Sequence, residues 1–208
     1  MKNNILYRDK YDEFSDLAAA KLGAISVFED YLPEELLNCD TFICIDRILV
    51  KWIVERLLAE DIGAKLDDKT ISDIAKMREK THFGERMGRA YRLLGSAYHI
   101  VSSTAYKSPD GLTSILAQYI ESDYKIDREY RKFYYEFDQL KEMHLFERLR
   151  ELVENIYTNE YLSELLTKWN QGLKEEGVLK KLPLQIDFYT RNISNAKERT
   201  VVIISDAM

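Results

Sequence analysis

The spacing of apolar residues along the chain predicts a protein made mainly of α-helices, a multi-helix bundle. Over most of the first 177 positions, apolar side chains recur every three or four residues, which places them on one face of a helix. The sequence has only 3 Pro and 8 Gly, a composition that suits long helices with few breaks. Helices are predicted over residues 7–31, 33–61, 70–102, 111–122, 127–157 and 158–177.

The first two predicted helices differ in how their apolar residues are distributed. In the first, a single stripe is expected to face the core, and the second is apolar on nearly all sides. We therefore expect the second helix to be the central, most buried one. The predicted stripe of the first helix consists of Phe14, Leu17, Leu22, Ile25 and Phe28.

The third predicted helix contains glycines that leave two interpretations open. It begins at Thr70 with a capping box, in which Asp73 takes the place of the usual Glu. Gly84 and Gly88 then lie four residues apart on one face. Such spacing serves either a close approach between helices or a break near His82.

The last residues of the chain have a different character. A continuous apolar run closed by Ser-Asp predicts a buried strand of a parallel sheet, yet nothing upstream offers it a partner strand. We therefore expect a helical domain over residues 1–177, a linker with a short helix over 178–199, and over 200–208 the first strand of an α/β domain missing from this chain. Asp206 would follow that strand, where open α/β sheets place metals and ligands, and is the candidate metal ligand.

Other catalytic or metal-binding patterns are absent from the sequence. His82, His99 and His144 lie in separate segments without metal-ligand spacing, so we expect them at helix surfaces or partly buried. Cys39 and Cys44 would fall on different faces of a helix. This predicts two small buried hydrophobic residues rather than a disulfide or a metal pair.

Residues 124–137 interleave aromatic and basic side chains. Such mixtures can stack nucleobases, but at helical spacing they favour a packing seam in which Arg lies on ring faces. The formal net charge of −6 also argues against a dedicated nucleic-acid surface. Acidic residues in mixed-charge helix faces are expected to be mostly solvated, namely Asp46, Glu55, Asp123, Asp127 and Glu136.

The sequence also indicates a compartment. We interpret the two cysteine thiols as reduced, and no secretory signal is evident at the N-terminus. No apolar stretch approaches the ~20 residues of a membrane helix. We therefore expect a cytoplasmic protein without a membrane partner.

Residues 201–208 resemble the start of the alkaline-phosphatase-like core of PglZ proteins from BREX phage-defence systems. That family opens its core with an apolar strand followed by Ser/Asp-Ala-Leu/Met-Arg, and the Arg is missing here after Met208. Shorter segments upstream resemble the helical region that precedes this core. They comprise residues 39–42, 52–57, 82–84, 121–124, 133–134, 153–157, 162–169, 183–185 and 187–189.

The resemblance implies a divalent metal, zinc or similar, in the full-length protein, with Asp206 as one ligand. The nucleophile and the other ligands would come later in that family's sequence, so this chain alone is not expected to hydrolyse phosphoesters. It implies a non-catalytic accessory domain that binds the missing C-terminal catalytic domain and BREX components such as a PglX-type methyltransferase. The amphipathic helices and mixed charge also fit an alternative, a free-standing helical protein-interaction module. Direct nucleic-acid binding is the least favoured hypothesis.

Overall fold

Helices make up most of the protein, as the apolar spacing predicts. The computed structural model describes residues 7–141, 143–174, 177 and 184–203. No helix in this described part is long and apolar enough to span a membrane. In chain order the elements are α1 (Arg8–Leu22), α2 (Ala24–Glu29), α3 (Pro33–Leu36), α4 (Ile43–Leu58), β1 (Lys65–Leu66), β2 (Lys69–Thr70), α5 (Ile71–Arg78), α6 (His82–Arg86), α7 (Gly88–Val101), α8 (Leu112–Gln118), α9 (Tyr124–Phe137), α10 (Glu147–Asn155) and α11 (Ser163–Leu173).

Helix α4 lies at the centre of the fold, which confirms the prediction drawn from its apolar faces. Leu49, Val50, Ile53 and Leu57 are completely shielded from solvent. The helix contacts α7 and α10 as well as the short helices α2, α3 and α6. Because burying one such side chain contributes about 1.5–3 kcal/mol, α4 is a main source of the fold's stability. The predicted helix over 33–61 is nevertheless interrupted between α3 and α4.

The most extensive helix–helix contact joins α7 and α9, and α7 also packs on α5. Leu93 of α7 and Phe133 of α9 are fully buried. A polar contact crosses the same interface, where Ser96 Oγ donates to Glu129 Oε2 over 3.0 Å. Helices α5, α7 and α9 thus form a layer beside the central α4.

The predicted helix over 70–102 is broken into α5, α6 and α7. Its capping box is confirmed, since the Asp73 N–H donates to Thr70 Oγ1 over 3.2 Å and the Thr70 N–H donates to Asp73 Oδ2 over 3.3 Å. The break follows Arg78, and α6 then approaches the end of α5 so closely that a Cβ on Gly84 would lie 1.7 Å from the Arg78 carbonyl oxygen. A break in the predicted helix and a close approach between α6 and the end of α5 therefore occur together at this glycine.

The predicted helix over 127–157 is likewise two helices, because a turn separates α9 from α10. Stretches of π-helix, Tyr119–Asp123 and Ile156–Leu162, continue the helical path before α9 and after α10. Tyr161, within the second stretch, meets the ring of Tyr106 edge to face, with centroids 4.9 Å apart. The tyrosines that are common in this sequence therefore pack against one another in this part of the fold.

The segment after α11 is only partly described. In the expected linker the chain forms a 3₁₀ turn, Gln185–Asp187, followed by a π-helical turn, Tyr189–Ile193. In the predicted C-terminal strand, residues 201–203 are exposed and pair with no strand in the described part of the chain. Its other residues, 204–208, lie outside the described residues, so the strand and the domain division stay predictions.

Candidate functional site

The predicted metal ligand, Asp206, lies outside the described residues. Elsewhere in the described ranges, no group of three or more His, Cys, Asp or Glu side chains is placed to hold a metal ion. His82 and His99 lie on α6 and α7, and His144 lies on the 3₁₀ turn Met143–Leu145. A catalytic metal needs about three protein ligands, and the described residues do not supply such a set.

His82 belongs to the contact that attaches α1 to the rest of the fold. Its Nδ1 accepts a hydrogen bond from Arg8 Nε over 3.3 Å, and its Nε2 pairs with the Asp12 carboxylate. A ring that accepts at Nδ1 presents its other nitrogen, Nε2, to Asp12. The ring also meets Phe83 edge to face at a centroid distance of 4.7 Å. His82 therefore helps to hold α1 against α6.

A buried polar cluster connects α4, α5 and α7. Arg78 donates to Asp46 Oδ1 from Nε over 3.0 Å and from Nη2 over 2.8 Å, and the Tyr91 hydroxyl donates to the same oxygen over 2.6 Å. Arg78 Nη1 also donates to the carbonyls of Leu37 (3.1 Å) and Cys39 (2.6 Å), which precede α4. The cluster thus fixes three helices and one connection relative to each other.

Burial sets the electrostatics of this cluster. The side chains of Arg78 and Asp46 are 1% and 0% exposed. Burial raises the pKa of Asp46, against the opposing influence of the Arg78 charge and the Tyr91 hydrogen bond. Burial, followed by the nearby Asp46 charge, raises the pKa of Tyr91 well above its ordinary value. The cluster is closed to solvent, so its role is to hold the fold together.

The expectation of solvated carboxylates is wrong at three positions. Asp46, Asp123 and Glu136 are 0%, 5% and 6% exposed. Each is buried because a hydrogen-bonding partner reaches it from another segment, as Tyr106 does when its hydroxyl donates to Asp123 Oδ2. Mixed-charge patterns along a helix cannot reveal such partners, since they come from distant parts of the chain.

The two cysteines have different surroundings. Cys44 is buried on α4, as predicted, and burial raises the pKa of its thiol. Cys39 is exposed, so the prediction that it is buried is wrong. It lies in the connection between α3 and α4, where its carbonyl group is engaged by Arg78 while its side chain remains outside the core.

The aromatic segment over residues 124–137 mainly packs, as its helical spacing predicts. Phe133 and Phe137 are buried, and the Tyr130 ring stacks on Tyr157 with centroids 3.7 Å apart. Tyr124 and Tyr135 are the exceptions, with 36% and 65% of their surface exposed. The segment is therefore largely committed to the interior and offers little continuous aromatic surface for stacking nucleobases.

The clearest candidate for a functional surface lies at the N-terminus, on α1, α2 and the turn that follows them. Phe14, Leu17 and Leu22 are 61%, 58% and 66% exposed, so the prediction that they face the core is wrong. Ile25 is also exposed, and within the predicted stripe Phe28 packs partly against the core. We call the exposed set the N-terminal apolar surface; it comprises Phe14, Leu17, Leu22, Ile25, Val27, Tyr31 and Leu32.

Helix α1 contacts the rest of the protein through hydrogen-bonding side chains and through the ring of Tyr11, which lies against Phe83. Ser15 is buried and its Oγ donates to the Thr41 carbonyl over 2.6 Å. Asp12 pairs with His82 and, over 3.4 Å, with Arg86 Nη1. The helix is therefore inverted relative to an ordinary surface helix, whose apolar stripe faces the core. An exposed concentration of large apolar side chains typically marks an interaction site.

Two curated proteins are similar to nearly the whole chain. One is the alkaline phosphatase-like protein PglZ of Bacillus cereus (strain H3081.97), which is 29% identical over 95% of this chain. The other is the alkaline phosphatase-like protein BrxZ of Escherichia coli O9:H4 (strain HS), which is 25% identical over 96% of this chain. The chain is therefore similar in sequence to PglZ proteins.

The similarity to PglZ proteins covers only part of those relatives. The chain spans 24% of the length of the first and 25% of the second. No family model matches the sequence, and no solved structure matches it. The similarity is therefore to proteins about four times as long as this chain, and the role of the N-terminal apolar surface has to be inferred from the structure.

Proposed function

We propose that this chain is a non-catalytic helical region of a longer PglZ-like protein, and that its N-terminal apolar surface binds the alkaline-phosphatase-like part of that protein. The observation that carries the proposal is the inverted orientation of α1, which turns Phe14 and Leu17 to solvent and Asp12 and Ser15 to the fold. The two similar proteins are named alkaline phosphatase-like and are longer than this chain, which supports the choice of the alkaline-phosphatase-like part as the binding partner.

The energetics favour a covered surface. Burying one Leu, Ile or Phe side chain contributes about 1.5–3 kcal/mol, so seven exposed apolar residues represent a large unused driving force. An apolar surface of this kind suits a permanent contact, because obligate interfaces resemble a domain core that has been divided. A neighbouring domain of the same protein is always available to make that contact.

The wider role follows from the family resemblance. We propose that the longer protein is a metal-dependent phosphoesterase in BREX phage defence in the cytoplasm, with partners such as a PglX-type methyltransferase. Asp206 would contribute one ligand to a divalent metal, zinc or similar, and the remaining ligands would come from outside the described residues. The contribution of this helical region would be to position the catalytic part and to bind other components.

The test compares the complete product of the gene with the 208-residue chain. We expect hydrogen–deuterium exchange in α1 and α2 to be slower in the complete product, because the N-terminal apolar surface is covered there. Replacing Leu17 and Ile25 by serine should abolish this protection. In the 208-residue chain the same substitutions should change the free energy of unfolding by less than about 0.5 kcal/mol, since both side chains are already exposed.

The matched control replaces Glu13 and Asp16, exposed polar residues of α1, by serine. These substitutions should leave exchange unchanged in both proteins. Equal exchange in the two unmodified proteins would contradict the proposal. The same samples report on the wider role, since we expect divalent-metal binding and phosphodiester hydrolysis in the complete product but not in the 208-residue chain.

The alternative is a free-standing helical module that binds a separate protein through the same surface. The N-terminal apolar surface is the observation in its favour, because it requires a partner but does not itself specify one. A complete gene product that ends at Met208, together with concentration-dependent self-association or capture of a separate component, would favour this alternative.

A further inference from the structure

A second surface of the protein is basic, although the whole chain is acidic. A cleft of about 500 Å³ lies between α4, the α6–α7 junction and the turn after α9. This volume is within the range of roughly 300–1,000 Å³ that is typical of ligand pockets. Five basic residues line the cleft, against one acidic residue, Glu85; they are Arg47, Arg86, Arg89, Arg92 and Lys141.

The acidic neighbours of the cleft offset only part of this charge. Arg86 pairs with Asp12 of α1 at 3.4 Å, and that carboxylate also pairs with His82. Glu85 is already paired with Arg8 of α1. Arg89 and Arg92 share one carboxylate, Glu136, at 3.3 Å and 2.6 Å, and its side chain is 8% exposed and does not line the cleft. Arg92 also pairs with Glu79 at 2.8 Å. Two guanidinium groups on one buried carboxylate leave donors for another anion.

Two more features add to the positive potential. Arg47 is exposed and makes no ion pair with any described residue, so its guanidinium group is available on the wall of the cleft. The first residues of α7, Gly88 to Ala90, also line the cleft, and no side chain caps that helix N-terminus. The N-terminus of an α-helix carries a partial positive charge.

The remaining lining is apolar and decides the class of ligand. Ile43, Met87, Leu140, Leu145 and Phe146 contribute hydrophobic surface to the same cleft. A bare phosphate would pair with the guanidinium groups but would leave the hydrophobic surface of the cleft exposed to water. A nucleic acid would be disfavoured by the net charge of −6. A peptide that carries both carboxylates and apolar side chains satisfies both parts of the lining.

We propose that this cleft is a docking site for an acidic segment of a partner protein, in which carboxylates pair with Arg47 and Arg89 and an apolar side chain rests on the hydrophobic surface. The site is separate from the N-terminal apolar surface, so it does not depend on the function proposed above. It gives the helical region a second, electrostatic contact with a partner.

The test measures binding of labelled peptides to the 208-residue chain by fluorescence anisotropy. The probes are peptides of ~12 residues that alternate Glu with Leu or Asp with Phe, and Gln/Leu and Asn/Phe versions serve as uncharged controls. We expect the acidic probes to bind and the uncharged versions to bind at least about tenfold more weakly, since each charge-assisted hydrogen bond contributes strongly. Affinity should also fall between about 50 and 300 mM salt, as screening increases.

Variants locate the binding site. Arg47→Ala combined with Arg89→Ala should weaken the acidic probe by about tenfold or more. Arg47→Glu alone, at an exposed and unpaired position, should do the same without affecting the fold. Arg131→Ala, an exposed arginine of α9 that does not line the cleft, is the matched control and should leave the affinity unchanged.

Three results would overturn the proposal. The first is a dissociation constant above about 1 mM for both acidic probes, which corresponds to a binding energy too weak for specific docking. The second is an equal loss of affinity in the Arg131 control and the cleft variants. The third is tighter binding of single-stranded DNA, lost in the cleft variants, which would make the cleft a nucleic-acid site instead.

Discussion

Replacing Arg78 with alanine is expected to lower the free energy of unfolding by about 3–5 kcal/mol, because it leaves the Asp46 carboxylate buried without its counter-charge. The same change removes the donor that satisfies the carbonyls of Leu37 and Cys39. A loss of this size is a large fraction of the total stability of a domain, which is typically about 5–15 kcal/mol. Urea denaturation followed by circular dichroism measures it.

The matched control for this prediction is Arg47→Ala, which removes an exposed arginine next to Asp46 in the sequence. Its effect should stay within about 0.5 kcal/mol. A variant with both Arg78→Met and Asp46→Leu tests the electrostatic reason, since removing both charges should cost less than the sum of the single effects. Additive losses, or an Arg78→Ala variant as stable as the control, would show that the buried pair is not what holds these helices.

Replacing Gly84 with alanine should lower the free energy of unfolding by about 3 kcal/mol, at the upper end of overpacking costs. The added Cβ would lie 1.7 Å from the Arg78 carbonyl oxygen and 2.6 Å from its carbon. Both are backbone atoms at the end of α5, so relief requires α6 to move. That movement would disturb the hydrogen bonds from the His82 and Phe83 N–H groups to the Asp40 carboxylate, at 3.0 Å and 3.2 Å.

Gly95 provides a control with the opposite expected sign. It lies inside α7, and a Cβ there meets no atom within 4 Å. Gly95→Ala should therefore raise the free energy of unfolding by about 0.5–1 kcal/mol through helix propensity alone. Thermal unfolding of the two variants side by side measures the contrast, and a Gly84→Ala protein that melts at or above the unmodified temperature would refute the close-approach explanation.

The apolar pattern predicted helices well because it is a local property of the chain. The capping box at Thr70 and the buried character of α4 were both readable from residues within one or two turns. The position of Asp46 within that pattern also indicates the buried polar cluster. Asp46 lies three and four positions before Leu49 and Val50, on the buried stripe of α4, and a carboxylate in such a place requires a buried partner.

The apolar pattern was less informative about which surface a helix buries. Phe14 and Leu17 have the spacing of core residues, yet α1 turns them outward. Periodicity shows that a helix has an apolar face and cannot show whether that face meets its own fold or another protein. The two glycines of the third predicted helix were similarly ambiguous, since only Gly84 meets backbone atoms while Gly88 is next to the flexible end of Arg92.

By itself, the sequence determined the mainly helical class, the central position of α4 and the similarity to PglZ proteins, because these depend on local periodicity and on residue identity along the chain. Only the tertiary structure decided that Arg78 pairs with Asp46, that α6 lies against the end of α5, and that arginines of α4 and α7 share one cleft. The physical reason is that such contacts join residues distant in sequence. Their geometry is set by how the helices pack, and the same local patterns are compatible with many packings.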